Sequence, residues 1–125
     1  MEQKYLIDTN VLIDAQMNRL PKKVLDFLKE VINKNFIISF ITQIEYLGYK
    51  NVSKASEAFI SLADVLEIDK QIIQICIDIR KNYKIKVPDA IIAATAIAQD
   101  LILVTRNEED FANLQGLQFI NLHSM

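Results

Sequence analysis

Short apolar runs alternate along this chain with stretches whose apolar residues recur at helical spacing, and this alternation limits the fold more than any other feature. Residues 4–8, 36–39, 65–68, 101–104 and 118–121 read as brief strands. Helical patterns fill the intervals at about 9–15, 21–34, 41–50, 54–63, 69–84 and 88–98, with a further short helix after the turn 105–110. Strands joined through helices must run mostly parallel, and a parallel sheet is covered on both faces. The expected fold is therefore α/β, a three-layer α/β/α sandwich with a mostly parallel central sheet.

The pattern is most informative where it breaks. In Tyr5-Leu6-Ile7-Asp8-Thr9-Asn10 an apolar run ends in a carboxylate, and an amphipathic run starts at once with Val11-Leu12-Ile13. A strand that feeds straight into a helix leaves Asp8 at the carboxyl edge of the sheet, where parallel α/β folds bind ligands. The same residue type also caps helices, so Asp8 has two available roles. Pro21 suits the first turn of the second helix. Ser53 and Asp69 are suited to capping the helices that follow them. Pro88 and Asp89 open a helix rich in alanine, Ala90 to Ala98, which allows close approach of a neighbouring element.

A chain of 125 residues, 51% of them apolar, is expected to form one domain over 1–125 with a real core and no need of disulfides. No apolar run is long enough to span a bilayer, and Met1-Glu2-Gln3-Lys4 does not resemble a signal peptide, so no membrane role is expected. The single cysteine, Cys76, lies in an apolar helical pattern and suits a reducing cytoplasm. With two glycines in the chain there is no phosphate-cradling glycine loop. The only histidine, His123, argues against a histidine-based triad or a His-rich zinc site. The net charge of −2 is uninformative about nucleic acid, because setting four acids aside for a metal leaves 12 acids against 14 basic residues.

Four acids stand out by position. Asp8 ends the first strand, Glu45 lies mid-helix among Ile41, Ile44 and Leu47, Asp89 opens the alanine-rich helix, and Asp110 follows the strand 101–104 by a turn. A strand end, a helix start and a post-strand turn can converge above one sheet edge. Carboxylates gathered there repel one another unless a cation lies between them. Oxygen-only ligands favour hard ions such as Mg²⁺ or Mn²⁺, which commonly work with substrate phosphates and can activate water for phosphodiester cleavage. Thr9, Asn10, Thr105 and Asn107 are suited to holding these carboxylates or water by hydrogen bonds. Each acid also has a plainer reading: Asp89 as a helix-dipole acid, Asp110 as a solvated acid in Glu108-Glu109-Asp110. Glu45 resists this more, since a mid-helix acid among apolar neighbours is costly without a partner. Asp14, Asp26, Asp64, Asp69, Asp78 and Asp100 read as helix faces or caps.

Taken together, Asp8-Thr9-Asn10, Ile41-Thr42-Gln43-Ile44-Glu45, the run from Val87-Pro88-Asp89 to Ala96, Thr105-Arg106-Asn107 and Asp110-Phe111 resemble the PIN-domain family, especially its VapC-type toxins. The resemblance spans essentially the whole chain in the right order, and the combination is far more specific than Asp-Thr-Asn alone. It implies a Mg²⁺- or Mn²⁺-dependent ribonuclease whose metal-binding acids are Asp8, Glu45, Asp89 and Asp110. In some relatives the position of Asn107 is itself acidic and could share the role of Asp110. The resemblance also implies an RNA substrate, a homodimer and a small antitoxin protein that silences the enzyme by placing a residue, often arginine, in the acidic pocket.

For substrate contacts, Arg80, Lys81, Lys84 and Lys86 cluster just before Asp89 and could steer a phosphate backbone. They could equally be a solvated helix end, where cations are favourable anyway. Arg106 lies between two residues expected near the acids. Tyr46 and Tyr49 flank Glu45 and could stack a base, form an interface or belong to the core. A haloacid-dehalogenase-like phosphatase would need an acid where Asn10 stands, and a receiver domain would need a phosphorylatable Asp where strand two ends in Ser39-Phe40. Two alternatives survive on the same fold: a solitary RNA-processing nuclease and a non-enzymatic protein- or RNA-binding module.

Overall fold

A computed structural model describes residues 2–125. Its elements follow the expected alternation: β1 (Tyr5–Ile7), α1 (Thr9–Gln16), α2 (Lys22–Lys34), β2 (Ile37–Ser39), α3 (Phe40–Leu47), α4 (Lys54–Ile60), β3 (Asp64–Leu66), α5 (Lys70–Asn82), α6 (Val87–Ala98), β4 (Ile102–Thr105), α7 (Glu108–Phe111) and β5 (Phe119–Asn121), with a closing 3-10 turn, Leu122–Ser124. β1, β4 and β5 form one parallel sheet in that spatial order, and β2 pairs in parallel with β3. The two sheets meet where β2 lies against β1.

The period-two alternation of the strands builds the layers. Leu6, Ile37 and Leu103 face one core, filled by Ile72 and Ile79 of α5, Ala90, Ala93 and Ala94 of α6, and Phe111 of α7. Their chain neighbours Ile7, Ile38 and Val104 face the other core, filled by Val11 and Leu12 of α1, Val24, Leu28 and Val31 of α2, and Ile60 of α4. Helices thus cover both faces of a parallel sheet, which is the expected three-layer α/β/α arrangement. Ala90, Ala93, Ala94 and Ala96 of α6 are fully buried and α5 packs directly on this helix.

The ends of the elements show why the helices start where they do. Asp8, Ser39, Ser53 and Asp69 each accept a hydrogen bond from a backbone N–H in the first turn of α1, α3, α4 and α5. Pro21 lies just before the first turn of α2, not within it, with an extended ψ of 153°. α4 stops at Ile60, short of the expected Ala63, because Ala63 already leads into β3. Asp110 falls inside α7, one residue before the buried Phe111 that anchors that helix. Among the described residues no helix is long and apolar enough to cross a membrane.

Chain order reverses direction at β1. From β1 the sheet extends outward through β2 to β3, and the chain then returns on the other side to form β4. Such a reversal opens a crevice beyond the strand ends. Asp8 directly follows β1 and Thr105 ends β4, and the Asp8 N–H donates to Val104 O at 2.9 Å, tying the two strand ends together.

Candidate metal centre

Asp8 has both roles that its position allows. Its Oδ1 accepts from Thr9 N at 2.8 Å, capping α1, while Oδ2 accepts from Thr105 Oγ1 at 2.8 Å and from Asn10 Nδ2 at 3.1 Å. The side chain is 4% exposed. Burial raises its pKa above the ordinary carboxylate value and the Glu45 charge adds to the rise, whereas the bonds from Thr105, Thr9 and Asn10 oppose it.

Glu45 corrects the sequence reading. It is not an acid enclosed by apolar neighbours: Ile44 beside it is 61% exposed, and Glu45 lies on the open side of α3. An eight-residue helix with only Thr42 and Tyr46 buried turns one narrow face inward. What fixes Glu45 is a hydrogen bond from Thr9 Oγ1 to its Oε1 at 2.7 Å. The Thr9 hydroxyl also shares a hydrogen bond with Thr42 Oγ1 at 3.0 Å, so α1 and α3 are joined beside the acids.

Asp89, in the first turn of α6, is half-buried, and its carboxyl is pushed up from 3.8 to about 6. Burial contributes most, followed by the charges of Asp8, Asp110 and Glu45, with Lys86 as the opposing cation. All three other acids therefore act on Asp89 through space. Asp110 is exposed, and its Oδ2 accepts from Asn107 Nδ2 at 2.6 Å while Asn107 caps α7. Asn107 N donates in turn to Thr105 Oγ1 at 3.0 Å. Thr9, Asn10, Thr105 and Asn107 thus each hold one of the four acids.

The donor set fits a hard divalent cation in its chemistry: carboxylate oxygens only, crowded enough to raise Asp89, with little positive charge among them. Among the described residues no group of three or more His, Cys, Asp or Glu is already close enough to hold a metal ion.

The basic residues divide. Arg80 donates through Nη1 to the Ile85 carbonyl, pinning the α5–α6 connection. Lys84 and Lys86 are exposed, and with Arg80, Lys81 and Asp110 they line an open cavity of about 800 Å³ beside the acids. Arg106 turns away from the four acids, its Nη1 lying 2.8 and 3.1 Å from the two carboxylate oxygens of Asp14. Tyr46 is core, packed near Phe59, whereas Tyr49 is 63% exposed. Cys76 is half-buried, and burial raises its thiol pKa.

Asp14 is the residue that sequence reasoning passed over. Read there as a helix-face acid, it is 1% exposed. The signal was present: Asp14 is three residues beyond Val11, on the stripe of α1 that enters the core.

A family described as PIN domain matches residues 5–117, most of the chain. The chain belongs to the PIN domain family. This PIN protein is 31% identical to a chain of a toxin–antitoxin complex from Klebsiella pneumoniae, covering 95% of this chain and 98% of that one with a TM-score of 0.73. It superposes with a TM-score of 0.79 on VapBC-1 from nontypeable Haemophilus influenzae, at 25% identity over 97% of this chain and 99% of that one. It is 27% identical over 128 residues to Ribonuclease VapC1 of Haemophilus influenzae strain R2866, covering 92% of this chain and 95% of that protein. Among PIN proteins, this one is similar to the VapC type.

Proposed function

We propose that this PIN protein is a Mg²⁺- or Mn²⁺-dependent endoribonuclease and the toxin of a type II toxin–antitoxin pair. The observation that carries the reading is geometric: beyond the ends of β1 and β4, Asp8 is held by Thr105 and Asn10, Glu45 by Thr9 and Asp110 by Asn107, and Asp89 opens α6 beside them, its carboxyl raised by burial and by the other three charges. An acid so placed is stabilised in its charged form by a cation, and its oxygen-rich surroundings select a hard one. Asp8, Glu45, Asp89 and Asp110 would hold it. When bound, such an ion supplies Lewis acidity for hydrolysis of a phosphodiester.

The chain's own residues supply orientation. Thr105 and Asn10 fix Asp8, Thr9 fixes Glu45, and Asn107 fixes Asp110. Lys84 and Lys86, with Arg80 and Lys81, line the cavity that reaches Asp110 and attract the RNA backbone toward the acids. Arg106 acts on RNA only if it leaves Asp14. The toxin assignment is supported by the likeness to chains solved in toxin–antitoxin complexes and to a protein named a ribonuclease. A cognate antitoxin and a homodimeric state follow from the same assignment.

Incubation of the purified protein with total cellular RNA in Mg²⁺, in Mn²⁺ and in EDTA, beside Asp89→Asn, tests the proposal. Discrete cleavage that requires metal and Asp89 is expected. Equal behaviour of the two folded proteins would remove Asp89 from the chemistry and leave a binding module.

A further inference from the structure

All the ion pairs among the described residues converge on one carboxylate, and it is none of the four acids of the cleft. Asp14 is met by Arg106 at 2.8 Å, by His123 Nε2 at 3.2 Å and by Arg19 at 3.7 Å. The three partners come from the turn after β4, the closing 3-10 turn and the segment after α1. A carboxylate that is 1% exposed is costly unless it is paired, so the fold depends on these contacts.

The partner at the shortest distance leads directly to the cleft. Arg106 N donates to Asn10 Oδ1 at 3.1 Å, while the Arg106 guanidinium reaches Asp14. Asn10 and Asp14 are four residues apart on α1 and therefore share a face. The turn 105–107 is thus docked on α1 at two points, one by its backbone and one by a buried charge. The residues on either side of Arg106 are the ones that hold acids: Thr105 donates to Asp8 at 2.8 Å and Asn107 donates to Asp110 at 2.6 Å.

We propose that Asp14 is a positioning residue which, through Arg106, fixes the turn that sets Asp8 and Asp110 relative to each other. The proposal rests on reading the four-acid cleft as a metal centre. Asp14 touches no substrate and no metal. Losing its charge releases Arg106 toward solvent and leaves the turn held to α1 through Asn10. The turn that supports both Asp8 and Asp110 is then docked at one point in place of two, and the affinity for a divalent ion falls.

The metal-binding and exchange measurements use the intact protein without RNA, so substrate binding does not enter them, and RNA cleavage by Arg106→Gln is followed separately. Mn²⁺ affinity is measured by electron paramagnetic resonance for the wild type, Asp14→Asn, Arg106→Gln and the double variant. Amide hydrogen exchange is followed in metal-free protein at Arg106 and Asn107 against Leu103 and Val104 in the strand core. Each single variant is expected to weaken Mn²⁺ binding about tenfold, the low end for residues that orient metal ligands. Exchange at Arg106 and Asn107 should accelerate severalfold with the strand amides unchanged, and the double variant should be no worse than either single one. Arg106→Gln leaves Asp14 paired with Arg19 and His123, so it supplies the same test if Asp14→Asn does not fold.

Wild-type Mn²⁺ affinity in both variants would overturn the proposal, as would exchange that accelerates equally throughout the strands. A raised KM for RNA in Arg106→Gln with unchanged Mn²⁺ affinity would also overturn it and assign Arg106 to the substrate. If the wild type itself binds no Mn²⁺, the metal-centre reading falls. The exchange measurement still decides whether Asp14 holds the turn.

Discussion

Thr9 and Glu45, 36 residues apart in sequence, are joined by a 2.7 Å hydrogen bond from the Thr9 hydroxyl to Glu45 Oε1. Thr9 is in the first turn of α1, directly after Asp8, and Glu45 is on the open side of α3. The bond brings an acid that the fold does not otherwise enclose to the end of β1. An exposed glutamate has many rotamers, and a short bond to a buried hydroxyl selects among them.

Thr9→Val should therefore loosen Glu45 while keeping the shape of the buried site. A hydrogen bond to a charged acceptor contributes about 1.5–3 kcal/mol. The partly exposed carboxylate can turn to water, so the stability loss should be near the lower end. Divalent-ion affinity and RNA cleavage should fall together by about ten- to a hundredfold, as for other residues that orient metal ligands. Chemical denaturation and Mn²⁺ titration separate the two effects. A variant as active as the wild type would show that Glu45 needs no support from α1.

Asp89 gives the metal-free protein a specific pH signature. Its folded-state pKa of about 6 lies above the ordinary 3.8, so the folded protein binds this proton more tightly than the unfolded chain. The raised charged form destabilises the fold above pH 6, and that penalty is relieved as pH falls through 6 toward 4. In EDTA, the wild type should gain stability relative to Asp89→Asn over this window, and Asp89→Asn should be the more stable protein at pH 7.5. Mn²⁺ binding should weaken below pH 6, because protons compete for the same carboxylate. Melting curves at several pH values check the first expectation, and titrations at the same values check the second. A pH-independent difference between the two proteins would contradict the crowding of acids around Asp89.

The fold was legible because the strands announce themselves as short apolar runs and the helices as stripes, with Asp8, Ser53 and Asp69 marking starts; the cap at Ser39 was read only as the end of a strand. The four candidate acids stand at interruptions of those patterns, which is why they can be picked out from the sequence. Glu45 was chosen for a reason that does not hold, since an eight-residue helix bordering the cleft buries less than its apolar composition suggests. The burial of Asp14 and its pairing with Arg106 were missed for the opposite reason. The pairing spans 92 residues of chain, and spacing along one helix cannot reveal it.

Lys84 and Lys86 should contribute to RNA affinity through phosphates and not through base identity. Replacing both with alanine is expected to raise KM with little effect on kcat, and to reduce the salt dependence of binding by roughly one unit of slope for each phosphate no longer neutralised. Binding isotherms at several salt concentrations measure this. An unchanged slope would mean that the cavity beside Asp110 is not the RNA path.

Phe111 is fully buried against the α5–α6 core and fixes α7, the helix that carries Asp110. Phe111→Ala should cost about 3–5 kcal/mol, as large-to-small changes in a close-packed core do. Urea unfolding gives the number directly. A loss below about 1 kcal/mol, outside that range, would show that α7 is not anchored by this side chain.

The central claim, hydrolysis of RNA phosphodiesters at the four-acid cleft, is tested most directly by the ends of the cleaved RNA. Fragments made by the wild type in Mg²⁺ are predicted to carry 5′-phosphate and 3′-hydroxyl ends, since water attacking the phosphorus in line with the 3′-oxygen expels that oxygen as the 3′-hydroxyl and leaves the phosphate on the downstream fragment. Fragments ending in 2′,3′-cyclic phosphate would mean that the ribose 2′-hydroxyl is the nucleophile, and would contradict the account.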